Sequence, residues 1–155
     1  AVTGVQTCAL PIFARPVWSC NRQEAMTLAE RLGVPIDDRK VTIGGGLDDF
    51  MHQLCDGLGA TLRAPLVVRV GARGAWIREP GGETIHIEGY PTKAVHTRSA
   101  GGCHTGVMCA MLAKGHSLAE SVKIANAAAS IAIQHSLNGV PQCPDYDEAI
   151  ALIGE

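Results

Sequence analysis

Ala94-Val-His-Thr-Arg-Ser-Ala-Gly-Gly-Cys-His-Thr-Gly-Val-Met-Cys-Ala-Met-Leu112 is the stretch whose reading decides the fold. A loop of small residues runs straight into an apolar helix, expected over residues 103–114. The first backbone N–H groups of such a helix have no acceptor within it, and they lie at the positive end of the helix dipole. Together they form a ready site for an anion such as a phosphate. The loop lacks a carboxylate where a phosphoryl-transfer enzyme needs one. The expectation is a phosphate-binding frame whose chemistry is compromised.

Working outward, strands and helices alternate. Arg15–Cys20 is short and apolar, as a buried strand is. After Asn21-Arg-Gln-Glu24 comes a helical pattern with Ala25, Leu28, Ala29 and Leu32 on one face, closed by Gly33. Gly44-Gly-Gly46 is expected to turn, and Asp48 to cap a helix with Phe50, Met51, Leu54 and Leu58 as its apolar stripe. Leu66–Val70 reads as a strand running into a tight turn over Gly71-Ala-Arg-Gly74. Two more strands are expected at Ala75–Arg78 and Thr84–Glu88, around Pro80-Gly-Gly82. An Ala-rich helix is expected over Leu118–His135, with Ala125, Ala128, Ala129 and Ala132 forming a small face, and a last helix over Asp145–Ile153. This alternation indicates a layered α/β sheet.

Composition narrows the possibilities. In 155 residues, 46% are hydrophobic and 18% charged, which suits one globular α/β domain or part of one. A formal net charge of −2 gives no general basic surface, so nucleic acid is not an expected partner. No apolar run approaches the length of a membrane span, and the first residues lack the pattern of a secretory signal. The six cysteines (Cys8, Cys20, Cys55, Cys103, Cys109 and Cys143) contain no C-x-x-C pair and are expected to be reduced and half-buried, as in a cytoplasmic protein. Residues 1–12 resemble a translated sequencing adapter. They are expected to be non-native, with 13–155 as the domain. The alternative is a natural strand, since Ala9–Phe13 is apolar enough.

Four landmarks stand in order: N-R-Q-E at 21–24, V-G-A-R-G at 70–74, T-R-S-A-G-G at 97–102 and A-N-A-A-A at 125–129. Together they resemble the C-terminal, nucleotide-binding half of ribokinase-like (PfkB family) carbohydrate kinases, over roughly residues 15–150. The resemblance implies an N-terminally truncated three-layer α/β/α sandwich. It also implies transfer of the ATP γ-phosphoryl group, with Mg²⁺, to a hydroxyl of a small-molecule sugar or nucleoside. The full-length parent would be cytoplasmic and can pair as a homodimer.

Site roles carry over by position. Asn21 and Glu24 match the motif that helps hold the Mg²⁺ and phosphate network; alone the pair reads as a helix cap and its capping-box partner, and with the other landmarks the functional reading is preferred. Gly71 and Gly74 match the turn beside the nucleotide, where glycine allows close backbone approach. Asn126 matches a position near the adenine; otherwise it is a solvent-facing or locally bonded Asn. Ala100, Gly101 and Gly102 match the anion hole. Arg98 could pair with phosphate oxygens.

Where the family reads roughly D-T-x-G-A-G-D, this chain has His96-Thr-Arg-Ser-Ala-Gly-Gly102. His96 replaces the first Asp, Ser99 the first Gly, and Gly102 the last Asp, which is the family's catalytic base. Loss of a general base typically costs about 10²–10⁴-fold in rate. His104 is not expected to substitute, because two residues of helix turn it away by about 200°; it reads as a helix-surface residue. A non-catalytic nucleotide or sugar-phosphate binding module is therefore the alternative.

Overall fold

The computed structural model describes residues 6–8, 16–37, 46–93 and 100–154. It divides into two compact units. The first comprises residues up to Val70 together with Trp76–His86, and the second comprises Gly71–Ala75 and Ile87 onward.

The first unit begins with β1 (Gln6–Cys8) and β2 (Val17–Asn21), followed by α1 (Arg22–Arg31), α2 (Leu47–Leu62) and β3 (Leu66–Arg69). With β4 (Ala75–Arg78) and β5 (Ile85–Ile87) the strands form one sheet in the order β1-β2-β3-β4-β5. β1 runs antiparallel to β2, so Gln6–Cys8, within the segment expected to be non-native, forms an edge of the sheet. β2 and β3 are parallel, with Cys20 opposite Val68 and Asn21 opposite Arg69. The connection between them contains both helices, as a parallel crossover requires.

The expected stripes form the core of this unit. Ala25, Leu28 and Ala29 of α1 and Phe50, Met51, Leu54 and Leu58 of α2 pack with Cys20, Leu66, Val68 and Trp76. Leu32, expected on the α1 stripe, is instead exposed at the C-cap. Asp48 does not cap α2. Gly46 occupies the N-cap position, and the Asp48 carboxylate accepts a hydrogen bond from Trp76 Nε1 at 2.8 Å. The indole of Trp76 makes this the better use of the carboxylate, since a buried N–H needs an acceptor.

The second unit opens with a 3-10 turn over Gly71–Arg73 and contains α3 (Ala100–Ala113), α4 (Leu118–Ala132), β6 (Ser136–Leu137), β7 (Val140–Pro141) and α5 (Tyr146–Gly154). α3 starts at Ala100 rather than 103, so the three residues read as loop form its first turn. Met111, Ile124, Ala127, Ala128 and Ala149 pack together where α3, α4 and α5 meet. α4 ends earlier than expected, at Ala132. The chain then makes a small hairpin through Asn138 (φ 53°) and Gly139 (φ 78°). The Asn-Gly pair that signals such a turn was present in the sequence.

The cysteines depart from expectation. Cys103 and Cys143 form a disulfide across 40 residues, and Cys109 is also disulfide-bonded. The tertiary fold brings the first turn of α3 and the segment before α5 to a Cα–Cα distance of 5.7 Å, within bridging range. Cys20 and Cys55 are free, and both are fully buried in the first unit rather than half-buried. Among the described residues no helix is long and apolar enough to cross a membrane.

Candidate functional site

Two groups of expected site residues exist, one in each unit. In the second unit, Ala100, Gly101 and Gly102 form the first turn of α3, where helix amides lack intrahelical acceptors. That turn carries no acidic residue. Among the described residues, a Cβ built on Gly102 would meet nothing within 4 Å. His96, Arg98 and Ser99 lie outside the described residues.

The segments on either side of residues 94–99 are held by α4. Asn126, buried on α4, donates through Nδ2 to the carbonyls of Ile87 (3.1 Å) and Glu88 (3.0 Å). Its Oδ1 lies 2.8 Å from Nε2 of His104, two residues past Gly102. One turn further along α4, Ser130 Oγ donates to the Tyr90 carbonyl at 2.9 Å. Carbonyls cannot donate, so they fix which end of the amide is nitrogen. The Asn126 oxygen is then the acceptor, and His104 Nε2 must carry a proton. His104 is thus a buried tie between α3 and α4 and not the surface residue that helical position suggested. Asn126 is neither solvent-facing nor locally bonded.

Gly71 and Gly74 bracket the turn after β3. Gly74 adopts φ +86°, and its N–H donates to Gly71 O at 3.1 Å. A Cβ on Gly74 would overlap Ile87 O and Gly89 N and lie 2.6 Å from the Glu88 carbonyl carbon. The close approach that Gly74 permits is therefore to the chain's own 87–89 backbone. Gly89 is its counterpart: a Cβ there would lie 2.7 Å from Gly74 N. The sequence reading missed Gly89; its signal was a glycine directly after a strand, at Glu88-Gly-Tyr-Pro91.

In the first unit, Asn21 and Glu24 form a complete capping box at the start of α1. Asn21 Oδ1 accepts from Glu24 N at 2.8 Å, and Glu24 Oε2 accepts from Asn21 N at 2.8 Å. Arg69, unnoticed in the apolar 66–70 run, brings Nη2 within 3.8 Å of the same carboxylate. Burial lowers the Arg69 pKa from its ordinary value, and Glu24 acts in the opposite sense. The three residues gather at the carboxyl ends of the parallel strands β2 and β3, where open α/β sheets place their ligand sites. Among the described residues no three His, Cys, Asp or Glu side chains cluster as a metal site. Asn21 Oδ1 and Glu24 Oε2 are both engaged in the cap.

The pfkB family carbohydrate kinase model matches residues 19–143. An uncharacterized sugar kinase, YegV of Escherichia coli (strain K12), is 35% identical over 121 residues, covering 78% of this chain and 33% of that protein. The chain thus spans about a third of the length of this curated relative. Ribokinase from Thermotoga maritima superposes with a TM-score of 0.68 at 19% identity, over 88% of this chain and 41% of that one. Arabidopsis thaliana ribokinase, solved with ribose and ATP, gives 0.66 at 22% identity, over 87% and 39%. The two structures establish the ribokinase-like α/β fold, in part of its length. With most of its residues matched by that family model, the chain belongs to the pfkB family of carbohydrate kinases.

Proposed function

We propose that this chain is the nucleotide-binding part of an ATP- and Mg²⁺-dependent carbohydrate kinase acting on a hydroxyl of a sugar or nucleoside. The supporting observation is that Ala100, Gly101 and Gly102 form the first turn of α3; the resemblance assigns these positions to the family's anion hole. Fixed donors of this kind stabilise charge on a phosphoryl group in transfer and need no side chain. The resemblance also assigns Gly71, Gly74, Arg98 and Asn126 to the nucleotide-binding part. Asn21 and Glu24 would hold Mg²⁺ through the phosphate and water network, and the cation would neutralise charge between the β- and γ-phosphates.

Gly102 bears on turnover. It cannot take the proton of the acceptor hydroxyl, so transfer is slowed by about 10²–10⁴-fold relative to an Asp at that position. The same observation favours a second reading, in which the protein binds nucleotide or sugar phosphate without turnover. Because ATP is a cytoplasmic metabolite, the cytoplasm is the proposed location. The Cys103–Cys143 bond would be open to reduction there.

The test is Gly102→Asp in a full-length family member carrying residues 13–155 as its C-terminal part. Phosphorylation of sugar should rise by about 10²-fold or more over the Gly form. Equal rates would overturn the assignment of position 102. Calorimetry showing no ATP or ADP binding by either form would overturn both readings.

A further inference from the structure

Resting on the nucleotide-binding reading above, we propose that His104, Asn126 and Ser130 are positioning residues that set the geometry of the anion-binding turn, and that Asn126 does not contact the base. Both Asn126 N–H groups are spent on the Ile87 and Glu88 carbonyls, and its oxygen takes the His104 proton. No donor remains on the amide to read a base edge. An amide among the alanines of α4 is a costly choice unless its bonds serve a purpose, since burying a polar group is unfavourable until every partner is found.

Those partners share one property. Ile87, Glu88 and Tyr90 precede residues 94–99 in the chain, and His104 follows them. Asn126 and Ser130, four residues apart on one face of α4, therefore hold the chain at 87–90, ahead of residues 94–99. Asn126 also holds the helix that receives the chain after them. The Gly74–Gly89 contact keeps the incoming segment close to the 71–74 turn. The direction of the first-turn amides of α3 is thus set by the bond made at His104, one helical turn inside, together with the Cys103–Cys143 disulfide at the end of that turn. Phosphate binding should depend on this network, while binding of the nucleoside should not.

The experiment uses the 155-residue chain, with Mg·ADP and adenosine as separate calorimetric probes. His104→Leu fills the space without a donor, and His104→Gln restores an N–H. The Leu variant should bind Mg·ADP about tenfold more weakly and adenosine unchanged within about twofold, with the Gln variant recovering most of the loss. Equal losses for both probes, no loss, or no recovery in Gln overturns the proposal. Amide hydrogen exchange gives a second measure. In Ser130→Ala, a milder change, exchange at 87–90 should quicken while the rest of α4 stays protected; unchanged exchange at 87–90 also overturns it. If the unsubstituted chain binds neither probe, the nucleotide-binding reading itself fails and takes this proposal with it.

Discussion

Gly74→Ala should be among the most damaging methyl additions available to this chain, and Gly71→Ala is its control. Both positions have positive φ, +86° and +50°. An L-residue there carries about 1–2 kcal/mol of backbone strain. The two differ in what the new methyl meets. At Gly71 nothing among the described residues lies within 4 Å of the added methyl, so backbone strain is the cost counted there. At Gly74 the Cβ would collide with the backbone of Ile87, Glu88 and Gly89, which cannot swing aside as a side-chain tip can. Displacing it adds an overpacking cost of about 1–3 kcal/mol. It also lengthens the Asn126 hydrogen bonds to the Ile87 and Glu88 carbonyls. The total is about 2–5 kcal/mol for Gly74→Ala against about 1–2 kcal/mol for Gly71→Ala. Urea unfolding followed by circular dichroism, with equal m-values, reads the difference. If the two variants unfold at the same urea concentration, the close approach of the 71–74 turn to the 87–89 segment is not what selects glycine at 74.

Two further outcomes follow from the cysteines. Cys143→Ser opens a loop with a sequence separation of 40, which by chain entropy should lower stability by up to about 4 kcal/mol under oxidising conditions. An unchanged denaturation midpoint would mean the bond does not form in solution. Burial pushes the Cys20 thiol from its ordinary 9.0 up to about 12, with Arg69 opposing and Glu24 adding to the rise; burial raises Cys55 too, with Cys20 itself adding to that shift. Above pH 9 the unfolded chain then gives up protons that the folded chain keeps. Their contribution is full below pH 9 and should fade as pH climbs, by about 1.4 kcal/mol per thiol per pH unit at most. Urea midpoints of the native chain and of a Cys20→Ala/Cys55→Ala variant at pH 8 and pH 10 measure this. A parallel decline in both would assign the pH dependence to other groups.

The sequence by itself determined the elements and the family. Apolar stripes such as Phe50, Met51, Leu54 and Leu58 have a period that only one face of a helix can satisfy, and the run Leu66–Val70 suits a buried strand. The glycines at 71, 74, 101 and 102 marked backbone that must turn or lie open, and the capping pattern at Asn21 and Glu24 is local chemistry complete within four residues. What only the tertiary structure decided are pairings between residues far apart in the chain. His104 and Asn126 are 22 residues apart, Asn126 and Ile87 39, and Cys103 and Cys143 40. No periodicity encodes such partners. A histidine two positions past Gly102 reads as surface until α4 packs against α3, and a scattered cysteine reads as a thiol until the fold brings another within bonding distance. Local propensity acts over a turn of helix or a pair of strand residues, whereas burial and hydrogen-bond partnership are properties of the packed chain. For this reason the start of α3, the proposed anion-binding turn, was legible in the residues to within three positions, and the hydrogen bonds among Asn126, His104 and the 87–88 carbonyls were not.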